Sequence, residues 1–223
     1  MRNRRTSASD SKGYPEFCLQ AATRDDLFAI FRSTGHAEYG RILEHFSRED
    51  GQIHLEVLRD RNPALLESLV RISQGEKIGT PDLYDYGAYG LLAPSTIRYT
   101  RHLGDLTEKF GPLDGLDVVE IGVGYGGLCK VTFDSFTPGS YTLVDLPEAL
   151  RLAERFLRAS LTAENFARVR FEDGTRLQRQ IVSDLAISNC AFSECLPSVQ
   201  RTYIETILGP ARRGSLLINL RRE

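Results

Sequence analysis

The stretch Glu120-Ile121-Gly122-Val123-Gly124-Tyr125-Gly126-Gly127 decides the fold. It continues Asp117-Val-Val-Glu-Ile121, a short apolar run with strand character, and from Leu128 the chain reads as a helix. Glycines between a strand and a helix permit a tight turn and let a ligand lie on bare backbone beside the helix N-terminus. Working outward, the alternation repeats. Ser140-Tyr-Thr-Leu-Val-Asp145 is a second strand, and Pro147 to Ser160 is a helix with Leu150, Ala153 and Leu157 on one face. Arg168 to Phe171 is a third strand and Ser183 to Asn189 a fourth. A helix from Pro197 to Leu208 and a fifth strand from Ser215 to Leu220 follow. Strands alternating with helices predict an α/β fold, a mostly parallel sheet flanked by helices. Such a sheet takes its ligand beyond the carboxyl ends of the strands, where strand order reverses.

Before the glycines the pattern is helical. Asp25 to Phe31 and Ala37 to Phe46 carry apolar residues at helical spacing. Asn62-Pro63 reads as an N-cap and first turn, with Leu65, Leu66, Leu69, Val70 and Ile72 on one face of the helix that follows. A loop rich in Gly, Pro and Tyr runs from Gly75 to Ala93. Pro94 then opens a longer helix carrying Ile97, Leu103, Leu106 and Phe110, and Gly111-Pro112 closes it. The expected organisation is a disordered tail over 1–22, a helical N-terminal extension or lid over 23–112, and a ligand-binding domain over 113–223. Arg2, Arg4, Arg5 and Lys12 lie in the tail without an apolar segment behind them.

The composition narrows the function. A chain of 223 residues, 41% hydrophobic, is enough for one full-sized domain with an extension. A net charge of −2 argues against a nucleic-acid partner held by bulk positive charge. No stretch approaches the ~20 apolar residues of a membrane span. Cys18, Cys129, Cys190 and Cys195 show neither metal-ligand spacing nor disulfide density, and no signal peptide precedes them, so a reducing, cytoplasmic setting is expected. His36, His45, His54 and His102 all precede the glycines on helical segments, and no cluster of His and carboxylates has metal spacing; no metal is expected.

Gly122, Gly124 and Gly127 also satisfy the dinucleotide pattern, which leaves an NAD(P)-dependent oxidoreductase open. Two features favour another cofactor. Glu120 places a carboxylate two residues before the first glycine, where it suits a cationic, phosphate-free ligand and would repel a pyrophosphate. S-adenosylmethionine, with its ammonium and sulfonium, fits that description. The chain after Gly127 is also too short for a dehydrogenase-type substrate domain. Asp145 ends the second strand and can accept from both ribose hydroxyls, or serve as an acid at the next helix start. Asp173, in Phe171-Glu-Asp-Gly174, can accept from an adenine amino group or simply hold an Asp-Gly turn. Asn189 at the tip of the fourth strand can hold the methionine portion or the acceptor by its amide, or make an ordinary loop hydrogen bond. Arg98 can reach the cofactor carboxylate from the helix before the first strand, or lie on the surface. Glu194, just past the fourth strand, is the candidate base, with a solvated acid ahead of Pro197 as the alternative. Tyr84, Tyr86 and Tyr89 can close over a ligand or pin their own loop.

The runs Val118-Val-Glu-Ile-Gly-Val-Gly-Tyr-Gly-Gly127, Tyr141-Thr-Leu-Val-Asp-Leu-Pro-Glu148 and Ser188-Asn-Cys-Ala-Phe-Ser-Glu194 together resemble the sugar O-methyltransferases, a branch of the Rossmann-like class I methyltransferases. Lys77-Ile-Gly-Thr-Pro81 and Pro94-Ser-Thr-Ile-Arg-Tyr99 are similar to that family's lead-in, and the match covers roughly residues 30 to 220. The resemblance implies a class I sheet, S-adenosyl-L-methionine as donor, and a small-molecule or glycan acceptor methylated on a sugar hydroxyl. The sequence leaves a homo-oligomer open. The family's sheet carries further strands after the fifth, whereas this chain stops at Glu223. The C-terminal strands, and part of the acceptor pocket with them, are therefore expected to be missing. A cofactor-binding fold without catalysis is the remaining alternative.

Overall fold

The computed structural model describes residues 13–34 and 44–217. Residues 1–12 of the expected tail, His36, and most of the helix expected over Ala37 to Phe46 lie outside them. The upstream region runs through α1 (Tyr14–Thr23), α2 (Asp25–Phe28), α3 (Arg48–Arg61), a tight helical turn at Pro63–Leu65, and α4 (Leu66–Gly75). A two-residue hairpin, β1 (Tyr84–Asp85) with β2 (Leu91–Leu92), leads into α5 (Pro94–Phe110). The α/β half follows as β3 (Asp117–Ile121), α6 (Gly127–Ser135), β4 (Ser140–Asp145), α7 (Pro147–Ser160), α8 (Ala163–Phe166), β5 (Val169–Asp173), β6 (Leu185–Asn189), α9 (Ala191–Glu194), α10 (Pro197–Tyr203) and β7 (Gly214–Leu217). A wider turn over Ile204–Leu208 extends α10, with Gly209 N donating to Ile204 O at 2.8 Å.

All four strand pairs of the main sheet are parallel, in the order β5-β4-β3-β6-β7. The chain winds outward from β3 to β5, then crosses back to β6 and β7, so the switch point lies between β3 and β6. Alternation along β3 sends Val118 to one packed face and Val119 and Ile121 to the other. The first face meets α5, α6 and α7 through Ile97, Leu103, Leu128 and Leu157. The second is covered by Tyr203 and Ile207, with Leu177 and Ile181 of the β5–β6 crossover packed beside them. The amphipathic readings of α5 and α7 hold: Ile97, Leu103, Leu106, Leu150, Ala153 and Leu157 are buried, and Phe110, at the end of α5, is half-buried against them.

The upstream half differs from its sequence reading in four places. Residues 14–22, expected as tail, belong to α1, which buries Tyr14, Cys18 and Ala21 against α7. Arg155 of α7 holds it there, donating to the carbonyls of Ala21 and Ala22 at 3.3 Å each and pairing with Asp25. The helix expected from Asp25 to Phe31 is a single turn. The side chain of Asn62 makes no cap hydrogen bond; instead it lies against Gly104 of α5. Helix α3 was not legible, because its apolar residues are sparse. It is started by a capping box in which Asp50 N donates to Ser47 Oγ at 3.2 Å and Ser47 N donates to Asp50 Oδ2 at 2.9 Å. No helix among the described residues is long and apolar enough to cross a membrane.

Candidate cofactor site

The turn from Gly122 to Gly127 leaves the carboxyl end of β3 at the switch point. Gly122, Gly124 and Gly126 have φ of 77°, 57° and 87°, a region that side chains resist, so the winding of the turn requires glycine at these positions. Not every bare α-carbon faces a ligand. A Cβ on Gly122 would overlap that of Ala191 in α9, and one on Gly126 would press on Leu157 at 3.1 Å. Here the missing side chains serve close packing of the turn against α9 and α7.

Asp145, at the end of β4, reaches back into this turn. Its Oδ2 accepts from Val123 N at 2.8 Å and from Gly124 N at 3.2 Å, and its Oδ1 accepts from Leu146 N at 2.7 Å. The Asp145 backbone carbonyl accepts from Gly174 N at 2.8 Å, which ties in the end of β5. Asp173 stands in register beside Asp145. Its Oδ1 accepts from Thr175 N at 2.9 Å and from Thr175 Oγ1 at 2.6 Å, the turn-holding alternative of its sequence reading.

On the other side of β3, Asn189 ends β6, and its Oδ1 accepts from Arg98 Nη2 at 2.8 Å. The same nitrogen lies 3.8 Å from Cys190 Sγ, and the guanidinium stacks 4.8 Å from the Phe46 ring centroid. Arg98 is thus a half-buried cation whose partners, among the described residues, are all neutral. Cys190 has φ 69°, unusual for a residue with a side chain, and this kink aims the chain into α9. Burial pushes its thiol above the ordinary range, while Arg98 pulls the other way. Glu194 closes α9, half-buried, on the same side of the switch point. Asp145 and Asn189 end the two strands that flank β3, about 10 Å apart by strand spacing.

Glu120 does not belong to this group, which corrects the expectation that its charge faces the ligand. It is 2% exposed and lies on the Val118 face of β3, where Tyr141 donates to its Oε2 at 2.9 Å. Burial pushes this carboxyl up to about 8, the Tyr141 hydrogen bond opposes that, and Asp145 adds to it. The alternation of the strand turned the acid toward the helices. The tyrosine loop is also pinned in part. Tyr86 is buried, donates to the Arg48 carbonyl at 3.2 Å, and occupies the space a side chain on Gly51 would need.

The sequence reading missed a buried ion set beneath the turn. Arg32 bonds Glu44, Glu76 and Thr96, which lie 12, 44 and 64 residues away along the chain. No local pattern announces such partners. Among the described residues, no group of three or more His, Cys, Asp or Glu is placed to hold a metal ion.

No family model matches the chain, and no curated protein matches it. Among solved structures it is similar to a Thermoplasma acidophilum protein designated 1320, at 17% identity and a TM-score of 0.40 over 68% of this chain and 66% of that one. An S-adenosylmethionine-dependent methyltransferase of Mesorhizobium loti overlaps at 22% identity and a TM-score of 0.36, over 46% and 47% of the two chains. Phosphoethanolamine N-methyltransferase 1 of Haemonchus contortus, solved with phosphoethanolamine and S-adenosylhomocysteine, overlaps at 16% identity and a TM-score of 0.41, over 53% of this chain and 25% of that one. The aligned part spans less than two thirds of each of these proteins. Overlaps at such TM-scores leave the chemistry to this chain's own residues.

Proposed function

We propose that the chain is an S-adenosylmethionine-dependent O-methyltransferase acting on a sugar hydroxyl of a small-molecule or glycan acceptor. One observation carries the choice of cofactor: Val123 N and Gly124 N both donate to Asp145 Oδ2. A dinucleotide places its pyrophosphate on the backbone amides of this turn. Here a carboxylate of the protein already holds two of them, and it would repel a second anion. A nucleoside without phosphate suits the turn, with Asp145 as acceptor for the ribose hydroxyls. Arg98, a cation whose partners among the described residues are neutral, suits the carboxylate at the ligand's other end. Asn189 orients that end from the tip of β6. The acceptor class rests on the motif resemblance.

When bound, the cofactor supplies a methyl group on a sulfonium for in-line displacement. The chain's work is to align the acceptor oxygen, which lowers the barrier by several kcal/mol. Glu194 takes the hydroxyl proton at its carboxylate. Calorimetry with S-adenosylhomocysteine and with NAD tests the cofactor, and micromolar binding of the first alone is expected. Binding of NAD alone would replace this reading with an oxidoreductase. Labelled methyl transfer to a glycan panel tests the acceptor. Cofactor binding with no transfer to any member would leave a binding fold without catalysis.

A further inference from the structure

Behind the glycine turn lies the ion set that the proposed function does not use. Arg32, in the turn after α2, is 2% exposed. Its Nε donates to Glu44 Oε1 and its Nη1 to Glu76 Oε1, both at 2.6 Å, and its Nη2 donates to Thr96 Oγ1 at 3.3 Å. Ser95 Oγ donates to the second oxygen of Glu44 at 2.5 Å. The second oxygen of Glu76 is buried without a hydrogen-bond partner among the described residues, and Glu76 borders a small cavity lined also by Thr96, Tyr125, Gly127 and Lys130. The Arg32 guanidinium carbon lies 5.0 Å from the centroid of the Tyr125 ring.

For packing alone this is an expensive arrangement. Apolar residues of similar volume commonly stabilise a fold as well as a buried ion set or better, and an unpaired carboxylate oxygen adds its own desolvation cost. The set therefore calls for a role beyond filling space, and the group it touches supplies one. Tyr125 is the central side chain of the glycine turn, 1% exposed, with Phe31, Phe156 and Tyr99 edge-on around it. Its neighbours Gly124 and Gly126 are the most permissive hinges a backbone has. The shape of the turn then depends on where that ring is anchored.

We infer that Arg32 is a positioning residue for cofactor binding: held between Glu44 and Glu76, it anchors the Tyr125 ring and so fixes the 122–127 turn, which makes the upstream extension an integral part of the cofactor site. The inference rests on the reading of this turn as the cofactor turn.

The test uses the full chain, with S-adenosylhomocysteine as probe. The triple variant Arg32→Met, Glu44→Leu, Glu76→Leu removes every ion of the set and puts apolar side chains of similar volume in its place. Its melting temperature is expected within a few degrees of the parent, with affinity for the probe about tenfold weaker. The KM for the methyl donor should rise while kcat at saturating donor stays unchanged, a split that general loosening would not produce. Adding Tyr125→Leu to the triple variant should weaken binding little further. A folded triple variant that binds within twofold of the parent overturns the inference, and so does strict additivity with Tyr125→Leu. Should the triple variant fail to fold, Glu76→Gln alone carries the test: about threefold weaker binding is expected with an unchanged melting temperature, and unchanged binding overturns the inference. Amide exchange over 122–127 in the ligand-free chain separates the two claims. A parent that binds no probe removes the cofactor reading alone. Faster exchange in the variants would still show Arg32 holding the turn, and equal exchange would show that it does not.

Discussion

Tyr141 donates its hydroxyl hydrogen bond to Glu120 Oε2 at 2.9 Å, in the layer between the sheet and α6. Burial raises this carboxyl from 4.5 to about 8, so the folded chain keeps a proton that the unfolded chain has released. Between those values the unfolded state binds fewer protons, and the stability present below pH 4.5 is lost as pH rises toward 8. Relative to Glu120→Gln, the parent's melting temperature is expected to fall across that window, with the gap widest at the alkaline end. His102, which burial holds well below its ordinary 6.5, adds stability as pH rises to 6.5 in both chains. Thermal melts by circular dichroism over the pH series check this. Equal slopes for parent and variant would refute it.

Asp145 fastens the glycine turn as well as presenting an acceptor. Asp145→Ala removes the partner of two backbone amides, and charge-assisted hydrogen bonds of this kind are worth about 1.5–3 kcal/mol. Affinity for S-adenosylhomocysteine should fall by about 10- to 100-fold, with faster amide exchange at Val123 and Gly124. Undiminished affinity in calorimetry would remove Asp145 from the site.

The contact between Gly122 and Ala191 makes a steric prediction. Gly122→Ala adds a methyl where Ala191 already stands and forces a side chain onto positive φ, costing about 2–4 kcal/mol in urea unfolding. Ala191→Gly in the same chain should recover the steric part and leave the backbone part. No recovery in the double variant would place the strain elsewhere.

Glu194 and Arg98 have separable roles in the proposed reaction. Glu194→Gln should reduce turnover by about 10²- to 10⁴-fold and leave S-adenosylhomocysteine affinity within twofold. Arg98→Met should raise the KM for the donor more than it lowers kcat. Full turnover in the first variant discards Glu194 as the base, and an unchanged KM in the second discards Arg98 as the carboxylate partner.

Much of the α/β half was legible because its signals are local. Asp117–Ile121, Ser140–Asp145 and Pro147–Ser160 fall where their apolar runs and turn residues put them. The acid ending the second strand was also recognisable, since it depends only on its place at a strand end. Helix α3 escaped because it is held by a capping box and its few apolar residues give a weak period. The surroundings of Glu120 and of the Gly122 α-carbon were not legible, for a different reason. Which face of β3 meets the helices, and what stands opposite a bare α-carbon, are set by other segments.

By itself the sequence determined a strand, a glycine turn and a helix, repeated into a parallel sheet, with Asp145 at the tip of the neighbouring strand. Those follow from periodicity and backbone preference, which act over a few residues. Only the tertiary structure decided that Asp145 holds the amides of the turn, that Arg98 meets Asn189, and that Arg32 joins Glu44 and Glu76 beneath Tyr125. The last two join residues tens of positions apart or draw on several segments, and the first depends on the parallel pairing of β3 with β4. Packing brings such groups together, and the low dielectric of the interior then gives their charges weight.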